Sequence, residues 1–335
     1  MTAPLYRRRP GIDDLPKAAT IVLRCLPALL LLAGNGTTLA EQSRGNQLVC
    51  DGIQQRYIVD RNPLDSRTLS FFLFDAAQRG CMDLLQRFLD LGASVKARDR
   101  AGNTALQIAA RSGERKAVEL LLARGSDVHH ANLAGSTALL QAATADRRRL
   151  AKILLRAGAD PNTRNTRGIT PLAAAAYNGS DRLVDMLLEA GADPDSVDGT
   201  GKAPIVYAAG RGYTGIVARL LDAGVKVDAR YSHELSALMW AAGHSNDVPV
   251  GEGLSTVALL VERGAQLDLV DDRGRSALMT AAQRDHAEIA TLLIERGADV
   301  TRADRQGMTA LELAGSEALR QALQAFLEKK ARSNQ

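Results

Sequence analysis

Aromatic side chains are scarce in this 335-residue chain, where Phe, Trp and Tyr together make up 4% of the residues and Trp occurs once. Hydrophobic residues as a whole reach 46%, with Leu and Ala most prominent among them. Small and unbranched apolar side chains suit thin helices that pack closely together, with no wide sheet between them. We therefore expect an all-α fold.

Long apolar runs are also missing. The N-terminal apolar stretch, residues 21–33, contains Arg24, whereas a membrane-spanning helix needs about 20 apolar residues. Residues 1–40 instead read as a secretory signal peptide, with Arg7 to Arg9 ahead of the apolar stretch and Thr38-Leu39-Ala40 before the cut. We expect cleavage after Ala40 and a periplasmic or secreted protein. A translation start near residue 22 would leave a shorter signal that begins at Arg24, and the alternative to export is an apolar N-terminal helix of a cytosolic protein.

Cysteine is rare, with three in the whole chain. Cys25 lies in the signal segment, so the mature chain keeps Cys50 and Cys81. An even pair in an oxidising compartment is a disulfide candidate. Such a bridge would fix segment 41–68 to the first part of the chain that follows it. The alternative is two unrelated cysteines.

Net charge is small. The formal charge is +4, of which +3 belongs to residues 1–40, and 37 basic side chains face 36 acidic ones in the remainder. This balance gives no reason to expect nucleic acid as a partner.

Recognisable catalytic and cofactor motifs are absent. Gly210-Arg-Gly-Tyr-Thr-Gly215 matches a dinucleotide fingerprint but does not follow a predicted strand. Among the five histidines, the adjacent His129 and His130 have no Cys or carboxylate at metal-ligand spacing. No Ser, His and Asp set converges either. We therefore predict no enzyme activity, no catalytic residues, no cofactor and no metal.

Glycine, by contrast, recurs at a fixed interval. Seven glycines each follow an apolar, helix-like run, at intervals of 33 residues except for one interval of 40: Gly92, Gly125, Gly158, Gly191, Gly224, Gly264 and Gly297. A period in this range is the sequence sign of a stacked-repeat protein. Such a protein grows by adding units, so length does not indicate two or three globular domains.

A second block recurs within each unit, as in Gly135-Ser-Thr-Ala-Leu139 and Gly168-Ile-Thr-Pro-Leu172. The glycine permits a tight turn with positive φ, and the Thr caps the helix that follows. An Ala pair then keeps the first helix thin, and a second helix buries an apolar stripe in the stack. Each unit therefore predicts two helices and a projecting loop.

These motifs resemble the ankyrin repeat, whose signature is Thr-Pro-Leu-His-x-Ala at a period of about 33 residues. The resemblance covers residues 69–330. It implies an ankyrin-repeat solenoid of seven to eight helix-turn-helix units with projecting hairpin loops. A non-repeat extension, residues 41–68, precedes the repeats, and a short tail, residues 331–335, follows them. Because the chain also carries a predicted signal peptide, it resembles exported bacterial ankyrin-repeat proteins. The family's His is replaced here by Gln107, Leu140, Ala173, Val206, Met239, Met279 or Glu312, so the family's Thr–His hydrogen bond is missing.

Three places depart from the regular unit. The first unit holds Phe71, Phe72 and Phe74, which predicts an N-terminal cap buried under segment 41–68, and the charged helix 321–330 predicts a polar C-terminal cap. The 40-residue unit has seven extra residues within 245–253, which predict a longer turn between its helices. This insertion is either functional or simply tolerated at the surface.

The resemblance implies a non-enzymatic, monomeric module that binds another protein through its concave face. In the family, partner contacts come from the tips of the projecting loops and from exposed positions of the inner helices. The repeat register places the following residues at these positions: Arg100, Asn103, Arg111, Leu133, Arg167, Tyr177, Asn178, Lys202, Arg211, His244, Arg273, Arg275 and Arg284. Most are basic, which predicts an acidic partner with Tyr177 as an aromatic anchor, unless the face is merely a solvated charged one. One alternative function is a small-molecule or enzymatic site at residues 240–253, which would include Trp240. Without such a site, we expect Trp240 to be a core residue. Another alternative is a purely structural scaffold in the cell envelope.

Overall fold

The structure, a computed structural model, describes residues 39–59, 65–244 and 248–333. The chain divides into two units, Met1–Gly45 and Asn46–Gln335, and only residues 39–45 of the first are described. The described residues form seventeen α-helices and one 3-10 helix, with two isolated β-bridges and no strand. The all-α fold class is confirmed. The signal segment lies outside the described residues up to position 38.

The helices alternate between two layers after an N-terminal helix. This helix is α1 (Leu39–Val59). The inner layer comprises α2 (Ser66–Arg79), α4 (Ala105–Ser112), α6 (Ala138–Thr144), α8 (Pro171–Asn178), α10 (Pro204–Ala209), α12 (Ala237–Ala242), α14 (Ala277–Gln283) and α16 (Ala310–Leu313). The outer layer comprises α3 (Met82–Asp90), α5 (Arg115–Ala123), α7 (Arg148–Arg156), α9 (Asp181–Glu189), α11 (Thr214–Asp222), α13 (Val250–Glu262), α15 (Ala287–Glu295) and α17 (Glu317–Ser333). Each inner helix packs on the next inner helix and on its own outer partner.

Local sequence signals begin and end these helices. The hydroxyl of Thr170 accepts a hydrogen bond from the backbone N–H of Ala173 at 3.1 Å, and Pro171 occupies the first turn. The same helix ends at Gly179, whose φ is 71°. The alanines between these points are buried, so neighbouring inner helices can approach closely. Caps, small residues and glycines therefore act in the way the repeat predicts.

Seven loops project from the stack, and we call them fingers 1 to 7. They are residues 91–104, 124–137, 157–170, 190–203, 223–236, 263–276 and 296–309. A backbone hydrogen bond joins each finger to the next, as from Thr166 N–H to Ala134 C=O at 2.9 Å and from Gly199 N–H to Arg167 C=O at 2.8 Å. The fingers therefore form a continuous backbone-linked row.

Gln107 takes over the place of the family's histidine in its unit. Its Oε1 accepts from the backbone N–H of Thr104 at 2.9 Å, which completes a capping box. Its Nε2 donates to the carbonyls of Ser136 at 2.6 Å and His130 at 3.2 Å in finger 2. The missing Thr–His bond is thus replaced here by an amide that bridges two units.

The N-terminal cap is held by a disulfide and by aromatic packing. The Sγ atoms of Cys50 and Cys81 are 2.06 Å apart, as expected for the predicted bridge. Tyr57 of α1 is buried and meets Phe72 and Phe88 edge-on, with centroids 5.4 and 5.0 Å away. Of the three Phe in the first unit, Phe72 is buried, Phe74 is half-buried and Phe71 is exposed, so the cap covers only part of this aromatic surface.

The insertion adds helix as well as loop. α13 has 13 residues whereas α11 has nine, so part of the inserted segment extends the outer helix, while residues 245–247 lie outside the described part. Within the described ranges, none of the helices has the length and apolar character needed to cross a bilayer.

Candidate functional site

The inner helices and fingers present most of the mapped positions to solvent. Arg100, Arg111, Leu133, Arg167, Tyr177, Asn178, Arg211, Arg273 and Arg284 are exposed, and Lys202 is half-buried. Six of the nine exposed residues are arginines. The mapped positions are therefore accessible to solvent, except at three of them.

Asn103 is the first exception, because it is buried between fingers. Its Nδ2 donates to Asp99 Oδ2 at 2.9 Å, and its Oδ1 accepts from Asn132 Nδ2 at 2.7 Å and from Gln141 Nε2 at 2.8 Å. The expectation that this amide faces a partner is wrong. It stabilises the contact between the first two fingers instead.

His244 is the second exception, with only 2% of its surface exposed. Its ring stacks on that of His286, with centroids 4.1 Å apart. His286 Nδ1 in turn lies 2.9 Å from the carbonyl oxygen of Ala242, and burial lowers the pKa of His286. The predicted exposure of His244 is wrong, because the long unit folds it against the next unit.

Arg275 is the third exception, with 11% of its side chain exposed. Its Nε donates to Asp304 Oδ2 at 3.2 Å and its Nη1 to Gln283 Oε1 at 2.8 Å. Burial raises the pKa of Asp304, but hydrogen bonds from two backbone N–H groups and from Arg275 outweigh it and lower the pKa overall. This arginine therefore links fingers 6 and 7 and is not available to a partner.

The centre of the face carries a group that we call the aromatic–cation cluster: Tyr177, Lys202, Tyr207, Arg211 and Trp240. The guanidinium carbon of Arg211 lies 4.3 Å from the centroid of the Tyr177 ring. Lys202 Nζ lies 4.9 Å from the ring of Trp240 and 6.0 Å from that of Tyr207. Contacts of this kind contribute about 0.5–2 kcal/mol each, so both cations have preferred positions.

Tyr207 is the anchor of the cluster. Its ring meets Tyr177 edge-on at 5.8 Å, and its hydroxyl donates to Asp198 Oδ2. Burial and this hydrogen bond raise the pKa of Tyr207 to about 12, so the phenol stays neutral and remains a donor at physiological pH. The Asp198 carboxylate also accepts from Thr200 and Lys202 backbone N–H groups, which ties the cluster to finger 4.

Sequence reasoning missed Tyr207 and took Trp240 as core. Tyr207 and Trp240 occupy the same register position, six residues after Gly201 and Glu234. Both are half-buried, since the inner helix leaves one edge of each ring at the concave face. Comparing equivalent positions across units would therefore have found both rings.

Two depressions flank the cluster along the stack. One, of about 430 Å³, is lined by Thr144, Asn165, Arg167, Ile169, Ala173, Ala174, Tyr177, Asn178 and Tyr207. The other, of about 540 Å³, is lined by Leu235, Met239, Trp240, Gly243, Arg273, Thr280, Gln283 and Arg284. Rings, short apolar side chains and guanidinium groups alternate along this surface, which suits a polypeptide that carries carboxylates.

The histidines and acids of the described residues do not assemble a metal site, because no group of three or more His, Cys, Asp or Glu side chains lies close enough together. In the 240–253 region, His244 is buried. The two depressions of this face are lined by arginines, amides, rings and apolar side chains.

Comparisons with known proteins agree with this geometry. A family model described as ankyrin repeats (3 copies) matches residues 73–165, 172–250 and 248–335. The chain is also similar to the crystal structure of the human ASB11 ankyrin repeat domain, with 29% identity and a TM-score of 0.60, over 67% of this chain and 98% of that one. No curated protein matches the sequence.

Proposed function

This chain belongs to the ankyrin-repeat family, and from that premise we propose that it binds an acidic segment of a partner protein through its concave face. Ankyrin repeats are in general protein-binding scaffolds without enzymatic activity. The observation that carries the acidic partner is the aromatic–cation cluster, where Lys202 and Arg211 are held over aromatic rings. Arg167 extends the positive charge to one side, and on the other side Arg273 is paired with Asp271, whose Oδ2 lies 3.0 Å from Nη2.

The chemistry of the cluster explains why a carboxylate-bearing peptide suits it. A guanidinium that stacks on a ring keeps its N–H groups in its own plane, so they remain available for paired hydrogen bonds to a carboxylate. Half-buried aromatic rings supply contact area at little cost in side-chain entropy. Interfaces concentrate binding energy in such Arg, Tyr and Trp residues.

This function can be tested by selecting, from a displayed library of random peptides, those that bind the full mature chain. We expect enriched peptides to be rich in Asp and Glu, and Arg211→Glu to weaken binding of a selected peptide about tenfold or more. Arg332→Glu is the matched control, since Arg332 is exposed on α17, away from the cluster. Enriched peptides without an acidic bias, or equal affinity of the Arg211→Glu variant, would contradict the proposal.

The salt dependence of peptide binding distinguishes the contribution of the cation Arg211 from that of the Tyr177 ring. Arg211→Glu removes a cation, so the slope of log Kd against log salt should become shallower. Tyr177→Ala removes a ring and should weaken binding while keeping most of that slope. If both variants change the slope equally, Tyr177 is not an independent anchor.

We further propose that the protein is exported, acts as a monomeric adaptor, inhibitor or protector, and loses residues 1–40. The disulfide of Cys50 and Cys81 supports this, because such bridges persist in oxidising compartments. Sequencing the N-terminus of protein recovered from the periplasm or medium should give Glu41 as the first residue. Recovery only from the cytosol with Thr2 intact would overturn export, and a dimer mass by light scattering would overturn the monomer.

A further inference from the structure

A third depression, larger than those of the concave face, lies where the inner helices turn into the outer ones. Its volume is about 650 Å³, and it is lined by Gly113, Arg115, Asp146, Arg147, Arg148, Arg149, Leu150, Lys152, Arg182 and Met186. Six of these ten residues are basic and one is acidic. We call this the basic groove; it contains no residue of the aromatic–cation cluster.

The positive charge of the groove begins at the N-termini of two neighbouring outer helices. α5 opens with Arg115 and α7 with Arg148 and Arg149, and neither has an acidic residue in its first turn. Five of the six other outer helices place an acid there: Asp83 in α3, Asp181 in α9, Glu252 in α13, Glu288 in α15 and Glu317 in α17, whereas α11 has none. The N-terminus of a helix is electrically positive, so cations there are unfavourable by some tenths of a kcal/mol each. Stability of the stack does not call for this arrangement.

Neighbouring acids neutralise only part of this charge. Arg148 lies 3.8 Å from Asp146, and Arg115 lies 3.4 Å from Glu119. Asp146 also accepts a hydrogen bond from the hydroxyl of Ser180 at 2.5 Å. The nearby acids Asp181 and Asp185 are paired with Arg219.

Three cations of the groove form no ion pair among the described residues, namely Arg149, Lys152 and Arg182, while Arg147 interacts electrostatically with Glu114. Arg147 donates from Nε to the carbonyl of Arg111 at 3.3 Å, and the half-buried Glu114 lies on its other side, where burial raises the pKa of that carboxyl group. The groove therefore carries a net positive charge over three successive units.

We propose that the basic groove binds a compact, multiply charged phosphate group. Guanidinium groups match phosphate oxygens in pairs, and the first-turn N–H groups of a nine-residue helix such as α7 are ready donors to an anion. The lining contains no aromatic ring and only Leu150 and Met186 as large apolar residues. The groove thus lacks the aromatic rings on which a nucleobase stacks and most of the apolar area that the core of a protein interface needs.

Calorimetric titration of the full mature chain with inorganic triphosphate tests this site. We expect saturable binding, at least tenfold weaker binding of monophosphate, and at least a tenfold loss in the variant Arg149→Glu/Lys152→Glu. The matched control is Arg302→Glu/Lys226→Glu, which reverses one exposed Arg and one exposed Lys on fingers 7 and 5. It should bind triphosphate within about twofold of the wild type. Absence of saturable heat, or equal loss in both variants, would overturn the proposal.

Thermal unfolding provides a second measurement that does not depend on calorimetric heats. Triphosphate should raise the Tm of the wild type and of the control, and leave that of the groove variant unchanged, because a ligand stabilises only a native state that binds it. The same scans show whether each variant folds, since Arg149 and Lys152 are exposed. An equal rise of Tm in the groove variant would place the phosphate elsewhere and overturn the site.

Vesicles separate the two sources of such a group. If vesicles that contain a lipid with a multiply phosphorylated headgroup, such as a phosphatidylinositol bisphosphate, bind the wild type and triphosphate displaces them, the groove accepts a lipid headgroup. If only triphosphate binds, the ligand is a free phosphate compound. Vesicle binding that survives Arg149→Glu/Lys152→Glu counts against the groove as the membrane contact.

Discussion

Fingers 3 and 5 occupy equivalent places in the stack but are held in different ways. In finger 3, Asn165 Oδ1 accepts from the backbone N–H groups of Arg167 and Ile169 at 2.9 and 3.0 Å, and Gly168 takes a φ of 75°. Every one of these bonds joins residues at most four positions apart. The regular finger is therefore stabilised by its own short sequence.

Finger 5 has none of these local bonds at the equivalent residue, which is Tyr231. His233 and Glu234 have φ values of 61° and 60°, and residues other than glycine rarely adopt such positive values. Tyr231 donates from its hydroxyl to Asp195 of finger 4 at 2.5 Å, and His233 Nδ1 lies 2.9 Å from Asp272 Oδ2 of finger 6. Neighbouring units thus supply what the local sequence lacks.

Most of the irregular features of this stack lie in one unit. The same unit carries the seven inserted residues and Trp240, and it buries His244 against the next unit. Three substitutions distinguish local from neighbour-supplied stabilisation.

The largest effect is expected for Gly168→Ala in the regular finger. A Cβ there would lie 2.7 Å from the backbone N of Gly199, and the positive φ adds strain. We expect a loss of roughly 2–4 kcal/mol in the free energy of unfolding, measured by urea denaturation. Gly92→Ala is the control, because Gly92 has a φ of 94° with open space around it. If Gly168→Ala and Gly92→Ala lose the same free energy of unfolding, the close backbone contact between fingers 3 and 4 does not contribute to stability.

Tyr231→Phe is expected to have an intermediate effect. It removes the hydrogen bond to Asp195 without changing ring packing, which should lower the free energy of unfolding by about 1–2 kcal/mol at pH 7. Asn165→Ala removes the local bonds of finger 3 for comparison. If Tyr231→Phe is neutral while Asn165→Ala is destabilising, neighbour-supplied bonds do not substitute for local ones.

High pH provides a further check on Tyr231. Burial and the hydrogen bond to Asp195 raise its pKa, so the folded state keeps its proton above about pH 10, where the unfolded phenol loses it. The stability from this group is therefore complete below about pH 10 and is lost as pH rises further. Urea denaturation between about pH 9 and 11 should show a shallower decline in Tyr231→Phe than in the wild type. Parallel declines would contradict this role.

The smallest expected effect is a gain in stability. Glu234→Gly relieves a left-handed backbone at the price of an exposed pairing with Arg230 at 3.4 Å, and should raise the free energy of unfolding by about 0.5–1 kcal/mol. Asp146→Gly relieves a similar φ of 50° but removes the acceptor of Ser180, so its gain should be smaller. A loss of stability in Glu234→Gly would show that its side chain matters more than its backbone.

Much of the site could be mapped from the sequence, because repeat register fixes which inner-helix and finger positions face outward. Arg167, Tyr177 and Arg211 are exposed as expected. Asn103 and His244 are not, because their partners lie 29 to 42 residues away, at Asn132, Gln141 and His286. The repeat period shows which segments of neighbouring units meet, but not which side chains make the contact.

By itself, the sequence determined the architecture: glycine turns, Thr and Ser caps, alanine pairs and apolar stripes are local signals, and each unit repeats them. Only the tertiary structure decided what the surfaces contain. The rings of Tyr177 and Trp240 meet cations from adjacent units, and Arg115, Arg149 and Arg182, which belong to three separate repeats, line one groove. The physical reason is that stacking brings residues about 33 positions apart into contact, and that contact depends on side-chain direction as well as on spacing.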